Sequence, residues 1–244
     1  MHVRLRIGCA GWSIMARHAA AFPRGGSHLE RYARVFDAVE INSSFHRPHR
    51  PQTYAKWADA VPGDFRFAVK LPKSISHERR LRDCADELRA FLDAVRELRG
   101  KLGVLLLQLP PSLAFDATGA LAFFDRLRDD YDGPFACEPR HLSWFDPAVD
   151  AALRARRIAR VAADPARTRR AAVPAGDRAI EYVRLHGSPR VYYDAYTDAT
   201  LQRIARRLAR ASKNTRERWC IFDNTALGHA TSDASKVKSL LAAA

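Results

Sequence analysis

Polar residues close most of the short apolar runs in this 244-residue chain. Glu40 and Asn42 end one run, Lys70 the next and Gln108 the one after. Glu138 with Arg140, Asp164, Arg184 with His186, and Asp223 with Asn224 follow at later run ends. In extended backbone, successive side chains point to opposite faces. Glu40 therefore shares a face with Asn42, Glu138 with Arg140, and Arg184 with His186. Such same-parity pairs, repeated at the ends of successive strands, describe a ring of groups able to do chemistry. Glu40, Glu138 and Asp223 suit a base or a ligand anchor. His186 and His77 suit proton transfer near neutral pH. Arg140 and Arg184 suit bidentate capture of a carboxylate or phosphate. The expected catalytic set is Glu40, Lys70, His77, Glu138, His186 and Asp223. The expected substrate contacts are Trp12, Asn42, Gln108, Arg140, Arg184 and Asn224. The competing reading is a structural ion-pair network, and one set of residues can serve as both.

Charge limits the chemistry. The carboxylates Glu40, Glu138, Asp164 and Asp223 face the cations Lys70, Arg140 and Arg184, so the ring carries a net charge near −1 before His186 is counted. Glu138, Asp164, His186 and Asp223 form a weak candidate set for a divalent metal, because three nearby cations compete with it. No other cofactor is expected. Cations close by should hold the acids ionised. Lys70 has the chemistry for a Schiff base, but carboxylates nearby are expected to raise its pKa. Two loops have the composition of anion cradles: His186-Gly187-Ser188-Pro189-Arg190 and Asn224-Thr225-Ala226-Leu227-Gly228. Ordinary turn chemistry explains them equally well. Trp12 suits either stacking on a ligand at the rim or packing over the mouth.

The elements that must position this ring are regular. Strand-like runs cover residues 4–9, 38–42, 65–70, 103–108, 135–138, 160–164, 182–186 and 219–223. Their mean spacing of about 31 residues matches one β-α unit. Helical periodicity fills the gaps. Leu88, Phe91, Leu92, Val95 and Leu98 form one apolar stripe, and Leu121, Phe124 and Leu127 another. Asp146-Pro147 reads as an N-cap with proline in the first helical position. Residues 198–210 and about 233–242 read as further helices. Residues 165–180 are polar and read mostly as loop. Eight such units in one domain spanning residues 1–244 predict a single (β/α)8 TIM-type barrel, a fold of about 250 residues with its chemistry at the C-terminal strand ends. Gly8-Cys9-Ala10-Gly11-Trp12 lacks the glycine spacing of a dinucleotide fingerprint, which argues against a doubly wound alternative.

Composition narrows the class further. An apolar fraction of 47% is too high for a disordered chain. No run approaches the roughly 20 apolar residues of a membrane helix. The net charge is +14, and Arg supplies 34 of the 41 cations. Such a surface could hold nucleic acid, or the arginines could simply decorate solvated helices. The four cysteines, Cys9, Cys84, Cys137 and Cys220, show no metal-binding spacing. With no secretory pattern before the first strand, a reduced, cytoplasmic protein is expected.

The ordered motifs carry a resemblance. Ile7-Gly8-Cys9-Ala10-Gly11-Trp12-Ser13, Val39-Glu40-Ile41-Asn42-Ser43-Ser44-Phe45 and Phe65-Arg66-Phe67-Ala68-Val69-Lys70 open it. Ser76-His77-Glu78, Leu106-Leu107-Gln108-Leu109-Pro110-Pro111 and Glu138-Pro139-Arg140-His141 with Ser143-Trp144 continue it. Tyr182-Val183-Arg184-Leu185-His186-Gly187 and Phe222-Asp223-Asn224-Thr225 complete it. Together they resemble the YecE-like family, catalogued as a domain of unknown function. The resemblance implies a TIM-type barrel and assigns no activity. Ile14 and His46 stand where the family usually has tyrosines, and Asp233 where it usually has asparagine. The expectation is an enzyme, most plausibly a hydrolase or lyase. Its substrate would be anionic, small or polymeric, with a phosphate-bearing sugar or nucleotide as the narrower expectation. A nucleic-acid-binding or repair-associated barrel and a non-catalytic ligand-binding protein are the alternatives. The sequence gives no reading of the oligomeric state.

Overall fold

Alternating apolar residues form parallel strands because helices cover their outer faces and one another's side chains cover the inner ones. The computed structural model describes residues 3–210 and 214–243. Its strands are β1 (Arg4–Cys9), β2 (Ala38–Ile41), β3 (Arg66–Lys70), β4 (Leu102–Gln108), β5 (Phe135–Glu138), β6 (Ile158–Arg160), β7 (Ala162–Asp164), β8 (Ala175–Gly176), β9 (Ile180–Leu185) and β10 (Glu217–Phe222). They form two sheets, ordered β1-β10-β9-β7 and β2-β3-β4-β5-β6-β8. All pairings are parallel except the two-residue β8, which runs antiparallel to β6. The chain crosses from one sheet to the other at Val161, and a parallel bridge from Ala10 to Glu40 links β1 to β2.

The helices are α1 (His28–Ala33), α2 (Ser43–His46), α3 (Pro51–Asp59), α4 (Ala85–Val95), α5 (Ala117–Asp130), α6 (Pro147–Ala155), α7 (Asp198–Ala209) and α8 (His229–Ala242). The expected cap is present: the Asp146 carboxylate accepts the Ala148 N–H at 2.8 Å, with Pro147 opening α6. Helix α1, at six residues, is too short to show apolar periodicity. Its start was nonetheless written in the sequence. Ser27 and Glu30 form a reciprocal capping box. The last helix begins at His229, earlier than its apolar residues alone suggest.

The strands separate two apolar clusters. The larger lies between the strands and the helices. The smaller comprises Ala38, Ala68, Val104, Leu106, Ala136, Ala159, Val161, Tyr182, Trp219 and Ile221. Its composition is lopsided. Small residues from β2, β3, β5 and β6 make room for Tyr182 and Trp219, whose rings stack at 5.8 Å. Gly103 belongs to this arrangement, since a Cβ there would stand 2.5 Å from the Trp219 ring. Gly8 is required by close approach too, because its Cβ would meet the Ala38 carbonyl oxygen at 2.0 Å. No described helix is long and apolar enough to cross a membrane.

Candidate functional site

Parallel strands bring their C-terminal ends to one side. Lys70, Gln108 and Glu138 are the last residues of β3, β4 and β5, and His186 and Asp223 directly follow β9 and β10. Register sets Gln108 beside Glu138 and Arg184 beside both Ile221 and Ala163. Arg184 is the hub. Its Nε donates to Glu40 Oε2 at 3.1 Å and its Nη2 to Glu40 Oε1 at 2.6 Å. Nη2 also reaches Asp223 Oδ2 at 2.8 Å, while Nη1 reaches Glu138 Oε2 at 2.6 Å and Gln108 Oε1 at 3.3 Å. A guanidinium has five N–H donors, and these contacts use them all. Tyr182 adds a hydroxyl donated to Glu40 Oε2 at 2.7 Å. Arg184, Glu40, Glu138 and His186 are fully buried, and Asp223 nearly so.

His186 lies across this hub. Nδ1 is 3.0 Å from Asp223 Oδ2, and Nε2 is 3.1 Å from Glu138 Oε1 and 2.8 Å from Arg140 Nη2. Arg140 also pairs with Glu138. Its Nε is buried without a hydrogen-bond partner, as is Asn42 Oδ1. The Asn42 amide nitrogen reaches Asp223 Oδ1 at 3.4 Å. Burial alone would push the Glu138 carboxyl up. Arg184, Arg140 and His186 overcome that and hold it well below the usual carboxylate range. Asp223 is lowered in the same way, with burial opposed by Arg184, His186 and Lys70. Burial opposes the Arg184 charge, yet Glu40, Glu138 and Asp223 hold its pKa well above the ordinary value.

Lys70 departs from expectation. Nearby carboxylates were expected to raise its pKa, but it is pushed down to about 8, first by burial and then by the Arg184 charge. Glu40, Glu138 and Asp223 pull the other way and lose. Their oxygens are already engaged by Arg184, Tyr182 and His186. The Lys70 Nζ lies 4.1 Å over the Phe45 ring. It makes no ion pair or hydrogen bond with any described residue. His77 meets the Phe45 ring in a T-shaped arrangement, with ring centroids 5.0 Å apart. His77 is carried on a single π-helical turn, Ser74–Glu78, and its Nδ1 meets Ser76 Oγ at 2.8 Å. Burial, then Lys70, lowers its pKa.

Three expected members stand elsewhere. Asp164 faces Tyr196, whose hydroxyl it accepts at 2.9 Å, because alternation along β7 places Ala163 beside Arg184 instead. Without Asp164 the ring balances three carboxylates against Lys70, Arg140 and Arg184. The proposed metal set also loses a member. Among the described residues no group of three or more His, Cys, Asp or Glu is placed to hold a metal ion. Asn224 points away from Asp223, donating to Asp233 Oδ2 at 2.8 Å and to the Asp194 carbonyl at 3.0 Å. Trp12 stands edge-on to Trp57 at 4.9 Å and to Phe67 at 6.5 Å, on the helix-facing side of β3. The first anion loop is also occupied from within. The Gly187 N–H donates to the Tyr196 hydroxyl at 2.9 Å, and the Arg190 N–H to Asp194 at 2.9 Å. Sequence reasoning missed Tyr182 and Tyr192, and it placed Phe45 in the loop after the second strand without a role beside Lys70. Parity two residues before Arg184 would have found Tyr182. Tyr192 meets the His186 ring edge-on at 5.5 Å from a left-handed loop position, where no sequence pattern points.

The arrangement is that of an α/β protein with parallel sheets and a buried charged ring at its strand ends. Residues 6–244 match the family described as "Protein of unknown function DUF72", and the chain belongs to that family. It is similar to the UPF0759 protein YecE of Escherichia coli, 34% identical over 140 residues, which is 57% of this chain and 49% of that protein. It is also similar to the UPF0759 protein YunF of Bacillus subtilis, 28% identical over 152 residues, covering 58% of this chain and 52% of that one. The chain spans about half the length of the curated relatives it matches. A DUF72 family protein from Enterococcus faecalis superposes with a TM-score of 0.80 at 20% identity, covering 98% of this chain and 95% of that one. One from Thermotoga maritima superposes at 0.79 and 22% identity, covering 98% and 99%. At these identities the likeness concerns the fold.

Proposed function

We propose that the two sheets close into one eight-stranded β/α barrel whose C-terminal mouth is the active site of an enzyme acting on a small anionic substrate. The link at Val161 and the bridge from Ala10 to Glu40 support closure. One observation carries the site. Arg184 has no donor left, while Arg140 keeps an unpartnered Nε and Lys70 an unpartnered ammonium in the same ring. The anion clamp expected of both arginines therefore falls to Arg140, with Lys70 beside it. Arg184 instead holds Glu40, Glu138 and Asp223 in place.

Glu40 is saturated by Arg184 and Tyr182, which makes it a positioning residue. The proton-transfer pair is His186 with Asp223. The Asp223 carboxylate fixes the ring through Nδ1, while Nε2 sits between Arg140 Nη2 and Glu138 Oε1, where an anion held by that arginine would present its proton. Such a pair suits hydrolysis or elimination. The test is calorimetric titration with inorganic phosphate. Wild-type protein should bind it, and Arg140→Gln should weaken binding at least about tenfold, the typical worth of a charged hydrogen bond. Equal affinity in the variant, or no binding at low salt, defeats the reading.

A further inference from the structure

We infer that Lys70 is a nucleophile that forms an imine with an aldehyde or ketone substrate carrying an anionic group. The inference rests on the anion site just proposed and adds a covalent step to it. Lys70 is 7% exposed and closes β3 on the face that Glu40 and Arg184 share. A lysine buried this deeply usually carries an acid partner. Three carboxylates share its ring, and Arg184 draws on all of them. The amine is left against the face of Phe45. Salt-bridged lysines elsewhere, such as Lys73 with Glu78 at 3.1 Å and Lys236 with Asp198 at 3.4 Å, are exposed and partnered. Desolvation and the guanidinium next to it favour the neutral amine, which is the nucleophilic form. With its pKa near 8, about a tenth of Lys70 is neutral at pH 7, against under about a thousandth of an ordinary lysine.

The chemistry balances without a further reagent. The Nζ lone pair attacks the carbonyl carbon, a C–N bond forms, and the C=O π pair moves to oxygen. The proton shed by nitrogen passes through the His186–Asp223 pair to that oxygen, giving a carbinolamine. A second proton from nitrogen leaves with the hydroxyl as water, and the C=N bond remains. Arg140 orients the anionic end of the substrate.

The test is reductive alkylation of the native chain at about pH 7 with cyanoborohydride. Glyoxylate and acetaldehyde are compared as probes, and modification is read lysine by lysine by peptide mass spectrometry. Lys70 should react at least about tenfold faster than exposed Lys56, the excess expected of an amine with a lowered pKa. Glyoxylate should be preferred at Lys70, and the preference should vanish in Arg140→Gln. If Lys70 reacts no faster than Lys56 with either aldehyde, the inference is overturned, and phosphate affinity still judges the anion site on its own. If Lys70 reacts rapidly and equally with both aldehydes, the nucleophile stands and the anion site falls.

Discussion

Both ends of the strands bury an arginine, and the two are used differently. At the start of the strands Arg6, 1% exposed, pairs with Glu217 and donates to the Asp64 and Asp37 carbonyls at 3.0 and 3.4 Å. Glu217 in turn accepts the Trp219 indole N–H at 3.0 Å. One cation meets one carboxylate, backbone carbonyls take other donors, and Trp219 seals the interior above. At the opposite end Arg184 gathers three carboxylates, and two further cations stand in the same ring. Donors and acceptors without partners occur there, at Arg140 Nε and Asn42 Oδ1. A closed pair joins strands. The ring keeps a donor and an acceptor unspent, as the proposed anion site requires.

The widest separation between the two ends should come from removing their hubs. Arg184→Met leaves Glu40, Glu138 and Asp223 buried together and should cost about 3–5 kcal/mol or prevent folding. Arg6→Met leaves one partly exposed carboxylate and should cost about 1–3 kcal/mol. Urea unfolding of the pair measures both, and equal losses would erase the distinction.

Lys70→Met should act in the opposite sense and stabilise the protein by about 1–3 kcal/mol at pH 7. The sign follows from its folded pKa of about 8, below the ordinary 10.5. The unfolded chain then binds the proton more tightly, so wild-type stability rises as pH climbs between those values. The gain from Lys70→Met should shrink over the same window, as stability curves at stepped pH will show. A destabilised Lys70→Met would mean that the ammonium is structural.

The acid limb gives a smaller effect. Glu138 and Asp223 are held below their ordinary values of 4.5 and 3.8. Their stabilisation is complete above those values and is lost as pH falls through the depressed ones. Glu138→Gln should flatten the stability slope below about pH 4, whereas an unchanged slope would place the acid sensitivity elsewhere. Arg140→Gln should cost less than Arg184→Met, about 1–3 kcal/mol, because Glu138 keeps Arg184 and His186 as partners. Its larger effect should be on phosphate affinity. If thermal unfolding shows it to be as damaging as Arg184→Met, the ring is one structural network.

Much of this ring was legible from parity. Glu40, Lys70, Gln108, Glu138, Arg184, His186 and Asp223 meet as alternation and parallel strand direction require. Alternation also forbids Asp223 and its neighbour Asn224 from facing the same way, so that error was avoidable. Asp164 was not recoverable. The run Val161-Ala162-Ala163-Asp164 gives no contrast between its faces, and only pairing with β9 shows that Ala163 is the residue beside Arg184. The two-residue β8 is held by antiparallel contact with β6 rather than by any propensity of its own.

The sequence by itself determined which polar groups gather, because strand period and order are local properties repeated along the chain. The tertiary structure decided what each group is free to do. Arg140 and Arg184 have identical side chains with interchangeable prospects on paper, yet one is saturated and the other is not. The three carboxylates expected to raise the Lys70 pKa spend their charge on Arg184. Saturation and desolvation depend on distances between residues more than 100 positions apart, such as Glu40 and Arg184, and no local pattern encodes those distances.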